Sequence, residues 1–493
     1  MRNGQRWFPR YNNAMPDWLI LILVALGGSA VYWFWVRLVL KPRHQDEVCF
    51  DLWGRERYAE AAEAFQARLT RRLSAGQEAH TRLLLAEMLD LSGRPEEATS
   101  ERERCRAVAR GAAKDPLALL TLGELLTQED RAVEACGLYK RALSLATDGR
   151  AAILTKLAAA QRNAGRPEEA IANAEAALTS RPEASFKKRL HQIAGTCLAS
   201  QGLLEEAETH LRHSLALAES EGKPEQVSDS LAFLAGIQYR RGQFAETIIM
   251  CQRARAVCSS PARRDLSIEA ACLRDMGRFE EARSVMKRYC QGPAYPQPRT
   301  ERRMQAHGSL ESAWIEAYAA RPEAALEHVM EAREGLKVPL NSSSAWPPPP
   351  LAGENHVVLI CDATEAYVQA QLGQVEQARR LAVSVESRLT QVCLSRDTQI
   401  TVYGFLGSAM LQLGDLLESR RLWTLYCECG PDPVGVPSVY LELGEIALRL
   451  GDTEEALWAF QHAVAPGIDS LDARRAQARL DEMGGVPAAE AAG

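Results

Sequence analysis

Strand patterns are nearly missing from this chain of 493 residues, and so are the short motifs of catalysis. No phosphate loop, GxSxG elbow, HExxH pair or Gly-rich dinucleotide turn occurs, which argues against an enzyme and against a bound cofactor. Aromatic residues make up only 6% of the chain while alanine is frequent, a balance that favours close helix packing over sheets. No long basic run exists, and the net charge of −6 is spread as mixed Arg and Glu. Phosphate binding needs clustered positive charge, so nucleic acid is not expected as a partner. Paired CxxC motifs are also missing. The twelve cysteines are scattered after residue 48 without a paired framework, as suits a reducing compartment.

What is there is a short junction that keeps returning. It reads Gly93-Arg94-Pro95-Glu96-Glu97-Ala98 and again Gly165-Arg166-Pro167-Glu168-Glu169-Ala170, with further copies from Gly202, Gly277, Gly373 and Gly451 and looser ones from Gly242 and Gly414. Placing Glu56, Asp130 and Ala320 in the same slot gives eleven junctions, at 56, 93, 130, 165, 202, 242, 277, 320, 373, 414 and 451. Most are separated by 35 to 43 residues, and a single gap of 53 precedes Gly373. A period of that length marks a helical solenoid. The glycine ends one helix in the left-handed conformation, proline fits the first turn of the next, and the glutamates complement its positive end. The alanine five residues after the glycine marks a close helix crossing. A large side chain at Ala170 or Ala207 is expected to overpack it at a cost of about 1–3 kcal/mol.

On these residues the chain resembles the tetratricopeptide-repeat family. Gly123, Gly195, Gly407 and Gly444 fill the small slot seven before the junction, Ala142, Ala177, Ala254 and Ala463 the slot twelve after, and Pro182 the closing slot. Phe65, Tyr139, Trp423 and Phe460 supply the aromatic nine after, where Ala174, Leu211, Cys251 and Met286 stand in other units. The fold class expected is all-α, a tetratricopeptide-type α-solenoid of about eleven helix pairs preceded by an N-terminal transmembrane helix.

That transmembrane helix is read from the apolar run Trp18 to Leu40, interrupted by charge only at Arg37. As a helix it is about 34 Å long against roughly 30 Å of hydrocarbon. It is too long for a signal-peptide core, and no clean small-residue cleavage site follows it. Arginines flank both ends, and their count leans towards a cytoplasmic repeat domain, with an extracytoplasmic one as the alternative. Met15 is an alternative start. The domain organisation expected is a polar tail (1–17), the span (18–40), an N-terminal array (43–290), a Pro-rich seam (291–299), a divergent unit (300–336), a Pro-rich loop (337–353), C-terminal units with a capping helix (354–483) and a disordered tail (484–493). The loop includes Trp346 and four consecutive prolines, Pro347 to Pro350. The layout is similar to bacterial envelope-assembly factors that join one span to a repeat array, but lacks their C-terminal zinc-binding rubredoxin-like module.

The resemblance implies binding through the concave groove lined by the first helix of each pair, at slots thirteen, ten, six and three before the junction. The residues there include His80, Glu87 and Asp90; Glu124; Arg162; Arg189 and Gln192; Asp229 and Tyr239; Arg274; and Glu445. Lys or Asn at the ten- and six-before slots, which clamp a partner's C-terminal carboxylate in the family, are replaced by Leu83 with Glu87, Leu120 with Glu124 and Gln192 with Thr196. His210 and His213, three apart on one helix, are too few to hold a metal, and no metal site is expected. The function expected is a membrane-anchored adaptor that binds partner proteins or peptides in the groove and the lipid bilayer through residues 18–40. The alternatives are an extracytoplasmic factor in secretion or envelope assembly and a metal-dependent sensor or enzyme.

Overall fold

The computed structural model describes residues 48–53, 55–129, 131–180, 182–258, 263–292, 298–337, 354–389 and 394–484. After a helical turn at 48–53, the helices are α1 (Tyr58–Leu69), α2 (Ala75–Leu91), α3 (Pro95–Gly111), α4 (Pro116–Gln128), α5 (Ala132–Leu145), α6 (Arg150–Asn163), α7 (Pro167–Thr179), α8 (Ala184–Ser200), α9 (Leu204–Glu221), α10 (Pro224–Arg240) and α11 (Phe244–Val257). They continue as α12 (Arg263–Asp275), α13 (Phe279–Gln291), α14 (Pro298–Tyr318), α15 (Pro322–Lys337), α16 (Glu354–Gln371), α17 (Val375–Leu389), α18 (Arg396–Gln412), α19 (Leu416–Glu428), α20 (Val436–Leu450), α21 (Thr453–Val464) and α22 (Leu471–Glu482). No strand occurs among the described residues.

One turn geometry joins the two helices of each pair whose junction lies among the described residues. Gly93, Gly165, Gly202, Gly242, Gly277, Gly373, Gly414 and Gly451 all have positive φ, and among the described residues the two non-glycines that share it are Glu56 (φ 59°) and Ala320 (φ 56°). The amide after each reaches back five residues to a carbonyl: Arg94 to Leu89 (2.8 Å), Arg278 to Leu273 (2.7 Å), Arg321 to Glu316 (2.9 Å) and Asp452 to Ala447 (2.9 Å). These bonds satisfy carbonyls that the ending helix leaves orphaned. Asp130 lies outside the described residues. At four junctions the next arginine also pairs with the glutamate three residues on, as Arg94 Nε does with Glu97 Oε1 at 2.6 Å and Arg278 Nε with Glu281 Oε1 at 2.7 Å; Arg57–Glu60 and Arg166–Glu169 are the others. Exposed as they are, such pairs add little to stability and mainly fix the turn.

Within a pair, the small slot and the aromatic slot interlock. A Cβ on Gly123 would lie 2.5 Å from the Tyr139 ring, one on Gly444 2.4 Å from Phe460, and one on Gly407 2.8 Å from Trp423. Ala98, Ala170, Ala207, Ala282, Ala378 and Ala456, five after their junctions, are fully buried, as are Ala142, Ala177, Ala254 and Ala463, twelve after. The helices therefore approach closely along their crossing, and each pair packs as a dense unit.

The chain divides into two compact units. Unit 1 comprises residues up to 129 together with 134–153, and unit 2 comprises 130–133 and 154 onwards. In unit 1, α1 to α5 stack on their neighbours. Arg82 bridges Glu78 and Glu101 (both 2.8 Å), Cys105 Sγ donates to the Ala79 carbonyl (3.2 Å), and the Gly76 amide donates to Asp115 (3.0 Å). Unit 2 has the same neighbour stacking, with Arg283 on Glu316 (2.6 Å) and Arg333 on Glu365 (2.9 Å), and it adds a second kind of contact. Its C-terminal helices return to the turns of its earlier ones. Arg240 at the end of α10 pairs with Asp397 and, at 2.8 Å, with Asp432. Arg474 on α22 donates to the Met276 carbonyl at 2.6 Å. Ile468 packs with Phe244 and Cys272, and Arg396 lies against the turn at Gly202. Three consecutive junctions, at 202, 242 and 277, thus form the seat for residues 396–474.

The expectation of a single-pass membrane protein is corrected. Among the described residues no helix is long and apolar enough to cross a membrane. The physical reason is amphipathicity: the longest, α14, has 21 residues but carries Glu301, Glu311 and Glu316 among its apolar positions, as a helix that packs on one face must. The tail 1–17 and the run 18–40, with the bilayer contact expected of it, lie outside the described residues, as do most of the loop 337–353 with Pro347–Pro350, and residues 485–493. Of the stretch 291–298, Gln291 closes α13 and Pro298 opens α14 at its first turn, where a missing amide donor is tolerated. Eight of the eleven described cysteines are buried; Cys393 lies outside the described residues.

Candidate partner-binding face

The first helices of the pairs in unit 2 bring charged and aromatic side chains together from far apart in sequence. Tyr239 of α10 donates to Asp275 (2.7 Å) and accepts from Arg274 (3.3 Å), both on α12. Arg274 also reaches Glu311 of α14 at 3.3 Å and lies 5.5 Å over each of the Trp314 and Tyr318 rings. Trp314 donates to Thr364 of α16 (3.0 Å) and packs 5.5 Å from Phe405 of α18, itself 5.9 Å from Tyr367. From the far end of the unit come Glu442 on α20 and Asp472 on α22, the latter holding Ser438 and, at 3.4 Å, Arg475.

These groups feel one another's charge. Burial first, then Tyr318, Glu442 and Asp472, push the Tyr367 phenol well above its usual range, and burial raises Tyr318 and Tyr239 likewise. Burial, Asp472 and Glu445 push Glu442 up to about 8, and burial also raises Asp472 and Glu311. For Arg274, burial alone would lower the pKa, but Asp275, Tyr239 and Glu311 more than offset it and raise the group well above its ordinary value. Yet Tyr239, Tyr318, Tyr367, Glu442 and Asp472 are only half-buried. Water therefore reaches these side chains although protein surrounds them, and the C-terminal helices return to the turns at 242 and 277 beside them.

A second group lies on the same set of helices. Burial, then the charges of Arg189 (α8) and Arg264 (α12), lower the pKa of Arg162 (α6); burial, then Arg264, lowers that of Arg189; and burial raises Asp229 (α10) against the pull of Arg264, Lys188 and Arg189. Arg264 stacks 4.2 Å over the Phe233 ring, one turn beyond Asp229.

The residues picked from the sequence are therefore dispersed. His80, Glu87, Asp90 and Glu124 are in unit 1, where Glu87 accepts from Gln128 (2.7 Å) and Asp90 pairs with Arg102. Arg162, Arg189 and Asp229 converge in unit 2, as do Tyr239 and Arg274; Gln192 is buried and Glu445 is tied to Arg479 at 2.6 Å. The slot rule, applied also to the junctions at 320 and 373, yields Trp314 and Tyr367. Asp275, Glu311, Tyr318 and Glu442 sit two or nine residues before a junction, and Asp472 lies beyond the last junction on the final helix; the slot rule reaches none of them.

The histidines make a different arrangement. His191 of α8 meets His210 of α9 Nδ1 to Nδ1 at 3.1 Å, and its ring lies 5.1 Å from that of His213. Burial and the two neighbouring rings push His191 down to about 4. Among the described residues no group of three or more His, Cys, Asp or Glu is placed to hold a metal ion.

No family model and no curated protein matches the chain. Solved structures do. A Rap protein complexed with Competence and Sporulation Factor is similar with a TM-score of 0.50 at 15% identity, over 71% of this chain and 98% of that one. The chain has a tetratricopeptide-repeat fold. Cut9 in its complex with Hcn1, from the anaphase-promoting complex, gives 0.46 at 13% identity over 88% and 83% of the two chains, and a tetratricopeptide-repeat protein from Parabacteroides merdae gives 0.36 at 14% over 60% and 98%.

Proposed function

We propose that this protein is an interaction scaffold, which grips a segment of a partner protein on the inner face of residues 154–484 and works by binding, without catalysis. The observation that carries this reading is the convergence of Tyr239, Arg274, Trp314, Tyr318, Tyr367, Glu442 and Asp472 on one water-accessible face. Aromatic rings on rigid helices give contact area at little entropic cost, while fixed charges of both signs set register and orientation. The Rap protein with a similar fold was solved with a factor bound, which supports reading this fold as one that takes a ligand.

Photo-crosslinking tests the proposal. A benzophenone amino acid replaces Tyr367 on the inner face or Val383, which is 68% exposed, on the outside, and adducts formed in cells are identified. Adducts at 367 and not at 383, competed by an excess of the uncrosslinked protein, are expected. Equal capture at both positions, or capture only at 383, rejects the inner face as the site.

A further inference from the structure

Three imidazoles meet halfway along the hairpin of α8 and α9. His210 and His213 stand about one turn apart on α9, and the His191 ring of α8 lies 5.2 Å from the first and 5.1 Å from the second. The Nδ1 atoms of His191 and His210 are 3.1 Å apart. Two ring nitrogens at that distance share one hydrogen, so one ring carries its proton on Nδ1 and the other offers a bare Nδ1. This limits how many protons the contact holds. A first added proton goes to the outward Nε2 of the donating ring, and the bond survives. A second has only the accepting Nδ1 left, which sets N–H against N–H between two cations, and the rings part.

The slots show what this pair replaces. His191 stands eleven residues before the junction glycine Gly202, and His210 eight after it. In the α2–α3 hairpin the same two slots hold Arg82 and Glu101, an ion pair at 2.8 Å, and in the α12–α13 hairpin they hold Leu266 and Val285 of one apolar cluster. Of these residue types only imidazole ordinarily titrates near neutral pH. The packing around the rings leaves them one way out. An added Cβ on Gly195 would lie 2.8 Å from Leu211, and Leu190, Ile193 and Ala194 are fully buried, so the inside of the hairpin is filled. On the water side His191 and His210 are half-buried and His213 is exposed. Glu175 of α7 favours a proton on His210 and Lys187 of α8 disfavours one on His191; among the described residues no group of α10, which also packs on the hairpin, shifts either ring.

We propose that His191, His210 and His213 form a proton-operated contact, which fastens α8 to α9 while it holds at most one extra proton and releases the two helices when a second arrives. The contact is independent of the binding face and stands or falls without it. Burial first, then His210 and His213, hold His191 down at about 4 against an ordinary 6.5. The fastening is therefore complete above 6.5 and is lost as pH falls towards 4, because the parted rings take their protons first. Acid loosens this hairpin and leaves fastened those whose slots carry no imidazole pair.

Hydrogen exchange on the full chain tests this at pH 7.5 and pH 5.0, corrected for the intrinsic rate and with EDTA present so that protons are the only ligand. Protection of α8 and α9 is expected to fall by at least about tenfold, and that of α2 and α3 to stay within about twofold. A His191→Arg/His210→Glu variant, which copies the Arg82–Glu101 pair, should keep the wild-type protection at pH 7.5 and lose the fall at pH 5.0. Equal falls in both hairpins, or a fall that persists in the variant, overturn the proposal. Histidine NMR of the wild type decides even where the variant does not fold, with ring signals assigned through His191→Gln and His210→Gln. The two rings are expected to titrate as a coupled pair in two well-separated steps; two independent titrations at the ordinary histidine value overturn the contact.

Discussion

In unit 1 the contacts joining one helix pair to the next stay close in sequence, as between Gln128 and Glu87, 41 residues apart, whereas in unit 2 Arg240 reaches Asp397 and Asp432 across 157 and 192 residues. Both regions are built from the same turn and the same interlocked pair. The difference lies in residues outside the repeat pattern: Arg396 and Asp397 open α18, Asp432 and Ile468 occupy connections between pairs, and Arg474 belongs to the last helix. An array whose units touch only their neighbours has a stability that is a sum of local terms. Long-range contacts couple distant pairs and close off a face, so unit 2 gains an interior that neighbour stacking alone does not provide.

The largest test of this contrast is Arg240→Ala. It removes one of the two guanidiniums that Asp397 and Asp432 share, Arg396 remaining at 3.6 and 3.0 Å, and is expected to cost about 3 kcal/mol. Hydrogen exchange should rise across residues 396–484 and remain at its wild-type level in α2 to α4; a uniform rise would mean that the closure contacts do not act as a separate latch. Next come matched glycine substitutions. Gly93→Ala meets only backbone strain, since nothing lies within 4 Å of an added Cβ, and should cost about 1–2 kcal/mol. Gly242→Ala adds a clash with Ile468, 2.7 Å away, and should cost about 1–3 kcal/mol more. Chemical denaturation of both variants measures the difference, and equal costs would remove the closure from the energetics of unit 2.

A pH effect of intermediate size is expected in unit 2. Glu442 is raised to about 8 in the folded chain, so between its unfolded pKa and 8 the native state holds a proton that the unfolded state lacks. Its contribution is complete at acid pH and is lost as pH rises through 8, with Asp472 adding in the same direction. Because water reaches the side chain, the Glu442→Gln gain at pH 8 should be only about 2 kcal/mol, fading towards pH 5. A gain that does not vary with pH would show that the carboxyl is ionised and solvated throughout. The smallest effect is Ala320→Gly, which relieves a left-handed alanine at φ 56° and should be neutral or stabilising by about 1 kcal/mol in thermal melts.

The solenoid was legible because its determinants are local and repeated. Gly93 and its copies, and the surrogates Glu56 and Ala320, fall at regular intervals, and a helix-ending turn depends on little beyond the residues within it. The face was legible only in part. Arg162, Arg189, Asp229, Tyr239 and Arg274 follow from slot counting, but the slot rule does not reach Glu442 or Asp472, which belong to helices that return from far along the chain. The apolar run 18–40 suggested an anchor, whereas the described helices long enough to span a bilayer carry the charges of packed amphipathic elements.

By itself the sequence determined that consecutive helices would fold back on one another at glycine turns and pack through alanines, because those preferences are decided within about a dozen neighbouring residues. Only the tertiary structure decided that α18 to α22 would seat on the turns at 202, 242 and 277, and therefore which side chains share an interior. That outcome depends on Arg240, Ile468 and Arg474 meeting partners far away in the chain, and no local periodicity encodes such meetings.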